Sequence, residues 1–269
     1  MVAERPLPTG PGIGWRPEIS AAVAALPGLA FCEVIAESLA PAVPPRGVVE
    51  LRERGVPVVP HGVRLSLGGA EPVDPERVTH LAACADALRA PLVSEHVAFV
   101  RAGGREAGHL LPVPRTDEAL DALTANIRRT RSELDVPLAL EPIATLLDWP
   151  EDHYGEGDFL TELLDRTGAL LLLDVANVYA NAVNRGQDPA DALARFPLDR
   201  VAYVHVAGGV RHDGFYHDSH TAPVPAEVLD LLDQLHRPAP VMLERDGRYP
   251  PAAELAAEVA ALGRLARAR

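Results

Sequence analysis

Short apolar runs recur along this chain, and each is followed by a longer stretch with helical spacing. The runs are GIGWR (12–16), LAFCEVIAE (29–37), VPVVPHG (56–62), PLVSEH (91–96), VPLALE (136–141), ALLLLD (169–174), VAYVHVAG (201–208) and PVMLE (240–244). Their β-branched content and length predict strands. ALLLLD is apolar on both faces, as a strand covered inside and outside must be. Between them, DPERVTHLAACADALRA (74–90) predicts a helix with Asp74 as N-cap and Pro75 at the first helical position. PPRGVVELRERG (44–55) predicts a helix stopped by Gly55. TDEALDALTANIRRTRSEL (116–134), GDFLTELLDRTG (157–168), a short helix over 188–196, VPAEVLDLLDQLH (224–236) and the final AAELAAEVAALGRLARA (252–268) continue the alternation. Eight strands, each with a helix after it, predict a single (β/α)8 TIM barrel over residues 1–269, with residues 1–11 as a flexible N-terminal tail. Three longer connections, 97–115, 142–157 and 209–222, are expected to be loops that could close over one end of the barrel.

The polar residues that end these runs carry the functional signal. Strand ends fall at Glu37, His61, His96, Glu141, Asp174, His205 and Glu244. A barrel gathers the C-terminal ends of its strands on one face, where barrel enzymes do their chemistry. Such a ring of carboxylates and imidazoles is costly to bury unless cations neutralise it. One His or Asp at a strand end is more often a satisfied polar residue than a ligand, but several of these ends have further donors close by. Asn177 follows Asp174, Asp218 and His220 lie beyond His205, and Asp246 follows Glu244.

The inventory of candidate metal ligands is therefore His61, His96, Glu141, Asp174, Asn177, His205, Asp218, His220 and Glu244. Oxygen and nitrogen donors without sulfur suit Fe, Mn, Zn or Mg, and four imidazoles count against Mg and Ca. Nine ligands exceed the need of one ion, so two or three ions are expected, with Glu141 as the bridging carboxylate. Asp246 and Glu37 are candidates for orienting ligands or contacting substrate. Glu95 is expected to point to the opposite strand face from His96 and so not to support it. The remaining histidines, on helices or loops, are read as surface or packing residues, His217 with least security because it adjoins Asp218. The RTRSE run is read as a solvated helix face.

Composition narrows the function classes. Lys plus Arg is 25 against 38 Asp plus Glu, a net charge of −13, which is a poor match for nucleic acid or an anionic membrane. Cys32 and Cys84 form neither a disulfide framework nor a Cys-x-x-Cys metal knuckle and are read as small buried residues. No signal-peptide core and no spanning apolar run is visible, so a cytoplasmic protein is expected.

The motifs GIGWR, EVIAES, HGVRLSLG, SEHVAF, LEPI, LLLDVANVYANA, VHVAG, HDSHTAPVP and LERDG stand in the order and spacing of the DUF692 (UPF0276) family, from Gly12 to Pro250. The chain resembles these multinuclear non-heme iron-dependent oxidative enzymes. The resemblance implies a TIM barrel of the xylose-isomerase-like type holding two or three Fe ions on the nine residues above. It also implies O2 as co-substrate, a ribosomally made precursor peptide as substrate, often modified at cysteine, and often a separate peptide-capturing partner protein. The chain departs from the family pattern at Ile35 (usually His), Ser38, Pro142 and Ala176 (usually Asn) and Ala222 (usually His). The nine donors would equally serve a non-redox divalent-metal isomerase or phosphodiesterase of the same barrel type, and the departures leave room for a non-catalytic metal- or peptide-binding protein.

Overall fold

The computed structural model describes residues 6–265. Twelve strands occur among them: β1 (Pro11–Trp15), β2 (Phe31–Ile35), β3 (Val58–His61), β4 (Val93–His96), β5 (Ala98–Ala102), β6 (Arg105–Pro112), β7 (Leu138–Glu141), β8 (Leu170–Asp174), β9 (Val201–Val206), β10 (Gly208–His212), β11 (Phe215–Ala222) and β12 (Val241–Leu243). Eight close into a parallel barrel in the order β1-β12-β9-β8-β7-β4-β3-β2. The expected eight strands are all present in that barrel. Two of the three expected loops are instead antiparallel hairpins, β5–β6 and β10–β11, standing on the mouth after β4 and β9. The sequence hid them because their exposed strands are polar and glycine-interrupted, so no face is patterned.

The α-helices are α1 (Ser20–Ala25), α2 (Arg46–Glu53), α3 (Pro75–Leu88), α4 (Asp117–Arg131), α5 (Glu156–Thr167), α6 (Val175–Asn184), α7 (Pro189–Leu193), α8 (Ala226–Leu231) and α9 (Ala252–Leu265). α3 starts as its sequence dictates, with Asp74 Oδ1 accepting the Glu76 amide at 2.9 Å and Pro75 opening the helix. After α2 the chain turns through Gly55 at φ +81°, a conformation that favours glycine. α6 was not expected, and it begins immediately at the end of β8. In the RTRSE run Arg129, Arg131, Ser132 and Glu133 are exposed, as expected, and Thr130 is buried. Arg129 pairs with Glu133, and Arg131 donates to the Thr167 carbonyl at the C-terminal end of α5. Cys32 and Cys84 are both buried and free.

The period of two along each strand sorts the barrel interior into layers. Phe31, Val59, Leu92, Ala139, Leu172, Tyr203 and Met242 pack together low in the barrel, and Leu7 packs against them. The tail expected over 1–11 is thus anchored at Leu7, while its residues 1–5 lie outside the described residues. Two positions further along each strand, the interior side chains turn polar: Glu33, His61, Ser94, Glu141, Asp174, His205 and Glu244. β1 contributes no bulk to the lower layer. A Cβ on Gly12 would lie 2.5 Å from the Phe31 ring, so that glycine is the space the ring fills. A larger apolar cluster lies between the barrel and its helices. An apolar floor and outer jacket leave the mouth free to hold polar groups without supplying stability.

Candidate metal centre

β3, β4, β7 and β8 end on His61, His96, Glu141 and Asp174, while His205 is the penultimate residue of β9 and Glu244 directly follows β12. Strand register sets neighbours level, with His96 opposite Glu141 and Asp174 opposite His205. Asn177 stands in the first turn of α6, and Asp218 and His220 reach in from β11. The structure brings all nine expected ligand residues to one end of the barrel.

Glu141 is the hub. His61 Nε2 and His96 Nε2 each lie 3.5 Å from its Oε2, and His205 Nδ1 lies 3.6 Å from its Oε1. His205 Nδ1 is also 3.0 Å from Glu244 Oε2, out of line for a hydrogen bond. Four sets of side chains offer donor atoms within 4.8 Å of one another: His61, His96 and Glu141; Glu141, Asp174, His205 and Glu244; Asp174, Asp218 and His220; His220, Glu244 and Asp246. Glu141, Asp174, Glu244 and His220 each belong to two sets, so the sets are chained through shared residues.

The unsatisfied atoms test whether this cluster suits a cation. Among the described residues, Glu141 Oε2, Asp174 Oδ2, His205 Nδ1 and Asp218 Oδ1 are buried without a hydrogen-bond partner. Buried polar atoms are normally paired, and four orphans in one cluster mark a site built for something else. Asp174 shows how this arises. Its Oδ1 caps α6 by accepting the Ala176 and Asn177 amides at 2.6 and 3.0 Å, which leaves Oδ2 turned away from the helix with nothing to bind. Asn177 donates to the Pro142 carbonyl at 3.2 Å, which leaves its other amide atom for the site. Nitrogen and oxygen donors without sulfur fit Fe, Mn or Zn.

Protonation tells the same story. Burial, with Asp218 and Glu141 close by, pushes the Asp174 carboxyl well above the usual carboxylate range. Burial alone would lower His96, but Glu141 and Glu95 outweigh it and push it up to about 9. Burial is likewise outweighed at His205, which Glu33, Glu244 and Glu141 raise well above the ordinary imidazole value. The Glu244 carboxyl is held well below its usual range, burial notwithstanding, by His220 and His205. Without a cation the cluster retains protons where a cation would supply the same charge.

A cavity of about 240 Å³ opens over the cluster. His61, His96, Glu141, Asn177, Asp218, His220, Glu244 and Asp246 form its polar part, and Ile35, Val63, Leu110, Ile143 and Ala144 its apolar wall. Ile35 thus gives the wall a hydrocarbon surface where the family pattern has an imidazole. Ser38 Oγ donates to the Ile35 carbonyl at 2.7 Å and serves the turn.

The two residues expected to orient ligands or meet substrate part company. Asp246 accepts from Arg16 at 2.5 and 3.1 Å and sits 3.0 Å from His220 Nδ1, at the rim of the cavity. Glu37 does not end a strand and does not line this cavity, which corrects its expected place. β2 stops at Ile35 and the chain enters a 3-10 turn (Ala36–Ser38) that carries Glu37 off the barrel axis. Its carboxylate accepts the Val63 amide at 2.9 Å and faces a separate cavity of about 440 Å³ with Arg64, Arg77 and His80. Glu95 is a second correction. It does point to the outer face, but its carboxylate accepts the Leu65 and His96 amides at 2.9 and 2.7 Å, and that curl leaves Oε1 3.3 Å from His96 Nδ1. The Gly62 carbonyl is the other partner of that nitrogen, at 3.2 Å.

Four functional neighbours escaped the sequence reading: Arg16, Glu33, Ser94 and Tyr203. Ser94 and Tyr203 precede His96 and His205 by two, so the strand period places them on the same interior face, one layer down. Glu33 precedes Ile35 in the same way. The period of two along each strand carries that signal, whereas the strand ends do not.

Fold and site together describe a (β/α)8 barrel of the enzyme type, with groups of side chains that could hold metal ions at the C-terminal ends of its strands. Residues 10–267 match the family described as "RiPP precursor modification enzyme MbnB/TglH/ChrH". The chain belongs to that family. A UPF0276 protein of Streptomyces avermitilis is 53% identical over 94% of this chain, which spans 54% of that relative's length. A UPF0276 protein of Bordetella parapertussis is 40% identical over 95% of this chain and 93% of its own. Among solved structures, D-allulose 3-epimerase from Methylomonas sp. aligns with TM-score 0.61 at 14% identity, over 97% of this chain and 100% of that one. Endonuclease IV from Thermus thermophilus aligns with TM-score 0.58 at 19% identity, over 97% and 98%. At such identity these likenesses concern the fold alone, and they bear out the xylose-isomerase-like barrel expected from the sequence.

Proposed function

We propose that this protein is an iron-dependent oxidative enzyme that uses O2 to modify a ribosomally synthesised precursor peptide. The observation that carries the reading is the chained donor sets sharing Glu141, Asp174, His220 and Glu244, with buried orphan atoms facing one another beneath an open cavity. Membership of a family described as modifying peptide precursors supports a precursor peptide as substrate. His61, His96, Glu141, Asp174, Asn177, His205, Asp218, His220 and Glu244 would hold two or three ions. Bound iron would supply the reduction of O2 that oxidation of a peptide requires.

The chain's own residues do the rest. The strand-borne donors hold a fixed geometry with little rearrangement on loading. The apolar wall of Ile35, Val63, Leu110, Ile143 and Ala144 receives substrate side chain and excludes water. Asp246 holds His220 Nδ1, and Arg16 holds Asp246. A separate peptide-capturing partner protein belongs to the same reading, as does a cytoplasmic setting; among the described residues no helix is long and apolar enough to cross a membrane.

The same donors would hold Zn or Mn, and the barrel is shared with sugar epimerases, so a non-redox isomerase is the competing reading. Oxygen-electrode traces of Fe(II)-, Mn(II)- and Zn(II)-loaded protein, with and without short peptides encoded beside the gene, separate the two. Peptide-dependent O2 uptake restricted to iron is expected. Turnover supported equally by zinc with no O2 consumed would replace the oxidative reading with the isomerase one.

A further inference from the structure

Beside the candidate ligands a buried hydrogen-bond chain runs from His205 through Glu33, Tyr203 and Ser94 to His61. Glu33 Oε2, on β2, lies 3.0 Å from His205 Nε2 and 2.6 Å from the Tyr203 hydroxyl. That hydroxyl lies 2.7 Å from Ser94 Oγ, which in turn lies 2.8 Å from His61 Nδ1. Glu33, Ser94, Tyr203 and His205 are 0% exposed and His61 is 2% exposed, so solvent does not compete for these bonds.

The proton count fixes the directions. An ionised carboxylate only accepts, and each hydroxyl has one proton. Tyr203 therefore donates to Glu33 and must accept from Ser94. Ser94, its proton spent on Tyr203, must accept from His61 Nδ1. His205 Nε2 donates to Glu33 directly. One carboxylate thus gathers protons from two imidazoles, one in contact and one through two hydroxyls.

We infer that Glu33 is a positioning residue that sets opposite tautomers on two metal ligands, holding the proton of His205 on Nε2 and, through Tyr203 and Ser94, the proton of His61 on Nδ1. In the neutral form that a bound cation requires, each ring turns its lone pair inward: His205 Nδ1 lies 3.6 Å from one Glu141 oxygen and His61 Nε2 lies 3.5 Å from the other. His96 reaches the same state independently, since its Nδ1 faces the Gly62 carbonyl and Glu95 while its Nε2 faces Glu141. The inference rests on the metal reading above and adds what that reading lacks, a cause for the facing of the rings. Metal-bound imidazoles are generally oriented by a partner on the other nitrogen, and losing that partner typically costs ten- to a hundred-fold in affinity. Here a single residue serves two rings, so its loss acts on both.

The test uses Zn(II)-loaded protein, read by long-range 1H–15N spectra of the histidine rings and by chelator competition. Wild type is expected to show His205 bound through Nδ1 and protonated on Nε2, and His61 the reverse. Glu33→Gln keeps size and shape but can donate where Glu33 accepts; it is expected to lose the His205 pattern, disturb His61 and weaken zinc at least ten-fold. Ser94→Ala removes one oxygen; it is expected to disturb His61, leave the His205 pattern intact and weaken zinc less than Glu33→Gln does. Far-UV circular dichroism on both variants separates these effects from unfolding, and Ser94→Ala keeps the test open if Glu33→Gln does not fold. A His205 protonated on Nδ1 in wild type, or wild-type ring patterns and affinity in the folded variants, overturns the inference while leaving the metal reading standing. Wild-type protein that takes up no zinc overturns both.

Discussion

The candidate metal centre is made of two unlike halves. His61, His96, Glu141, Asp174 and His205 sit on barrel strands, 0 to 8% exposed, each held by the ladder of its neighbours. Asp218 and His220 sit on the β10–β11 hairpin, outside the barrel, and His220 adopts φ +53°, a strained backbone for a non-glycine residue. In the strand-borne half Ser94 holds His61, Glu33 holds His205, the Gly62 carbonyl and Glu95 hold His96, and the α6 amides hold Asp174. The hairpin-borne half is held from the side, by Asp246 and, behind it, Arg16. Its two members also face each other, with His220 Nε2 2.5 Å from Asp218 Oδ2, a contact that a shared cation would have to replace. Rigid strands give a preformed site, whereas a hairpin can adjust as ions and substrate arrive. The ions of the two halves should therefore differ in affinity, the rim ion being the weaker.

Glu141→Ala is expected to have the largest effect, because three imidazoles face that carboxylate. Metal content of the strand-borne half and all activity should be lost while far-UV circular dichroism stays that of a barrel. Full metal content in that variant would end the division into halves. His220→Ala comes next. It should remove the rim ion alone, so elemental analysis should find fewer ions per chain than in wild type but not none. Complete metal loss would show the centre to be one cooperative unit.

The pH dependence is smaller and has a definite sign. His96 is raised from 6.5 to about 9 in the metal-free fold, so its contribution to stability is complete below pH 6.5 and is lost as pH rises through about 9. Asp174, also raised, has the same sign, whereas Glu244 is lowered and changes only in acid. Metal-free protein should lose thermal stability from pH 6.5 to 9, while metal affinity climbs by up to about ten-fold per pH unit for each proton displaced. Melting curves of both forms across that range check this, and a metal-free protein that gains stability with pH contradicts it. The smallest expected effects separate Asp246 from Glu37. Asp246→Asn should loosen His220 and weaken the rim ion a few-fold, about 0.5–1 kcal/mol for a half-exposed hydrogen bond. Glu37→Gln should leave metal content unchanged, since it faces the other cavity. Equal metal loss in both would show that the turn carrying Glu37 belongs to the centre.

The sequence alone determined the barrel and most of the donors at its mouth. Strand period and apolar runs are local properties, and a carboxylate or imidazole that closes such a run, as at Glu141 in LALE or Asp174 in LLLLD, has few places to go once the strand is in a barrel. Glu37 was misplaced because local pattern cannot say where a strand breaks: three residues of 3-10 turn were enough to move it to another cavity. The hairpins were invisible for the related reason that polar, glycine-broken strands have no patterned face. Only the tertiary structure decided which donors face one another and which polar residues lie beneath them. Glu33 and His205 are 172 residues apart in the chain and 3.0 Å apart in the barrel, and the proton on His205 depends on that closure. Distance along the chain carries no information about such contacts, and the orientation of a buried imidazole is set by contacts of that kind.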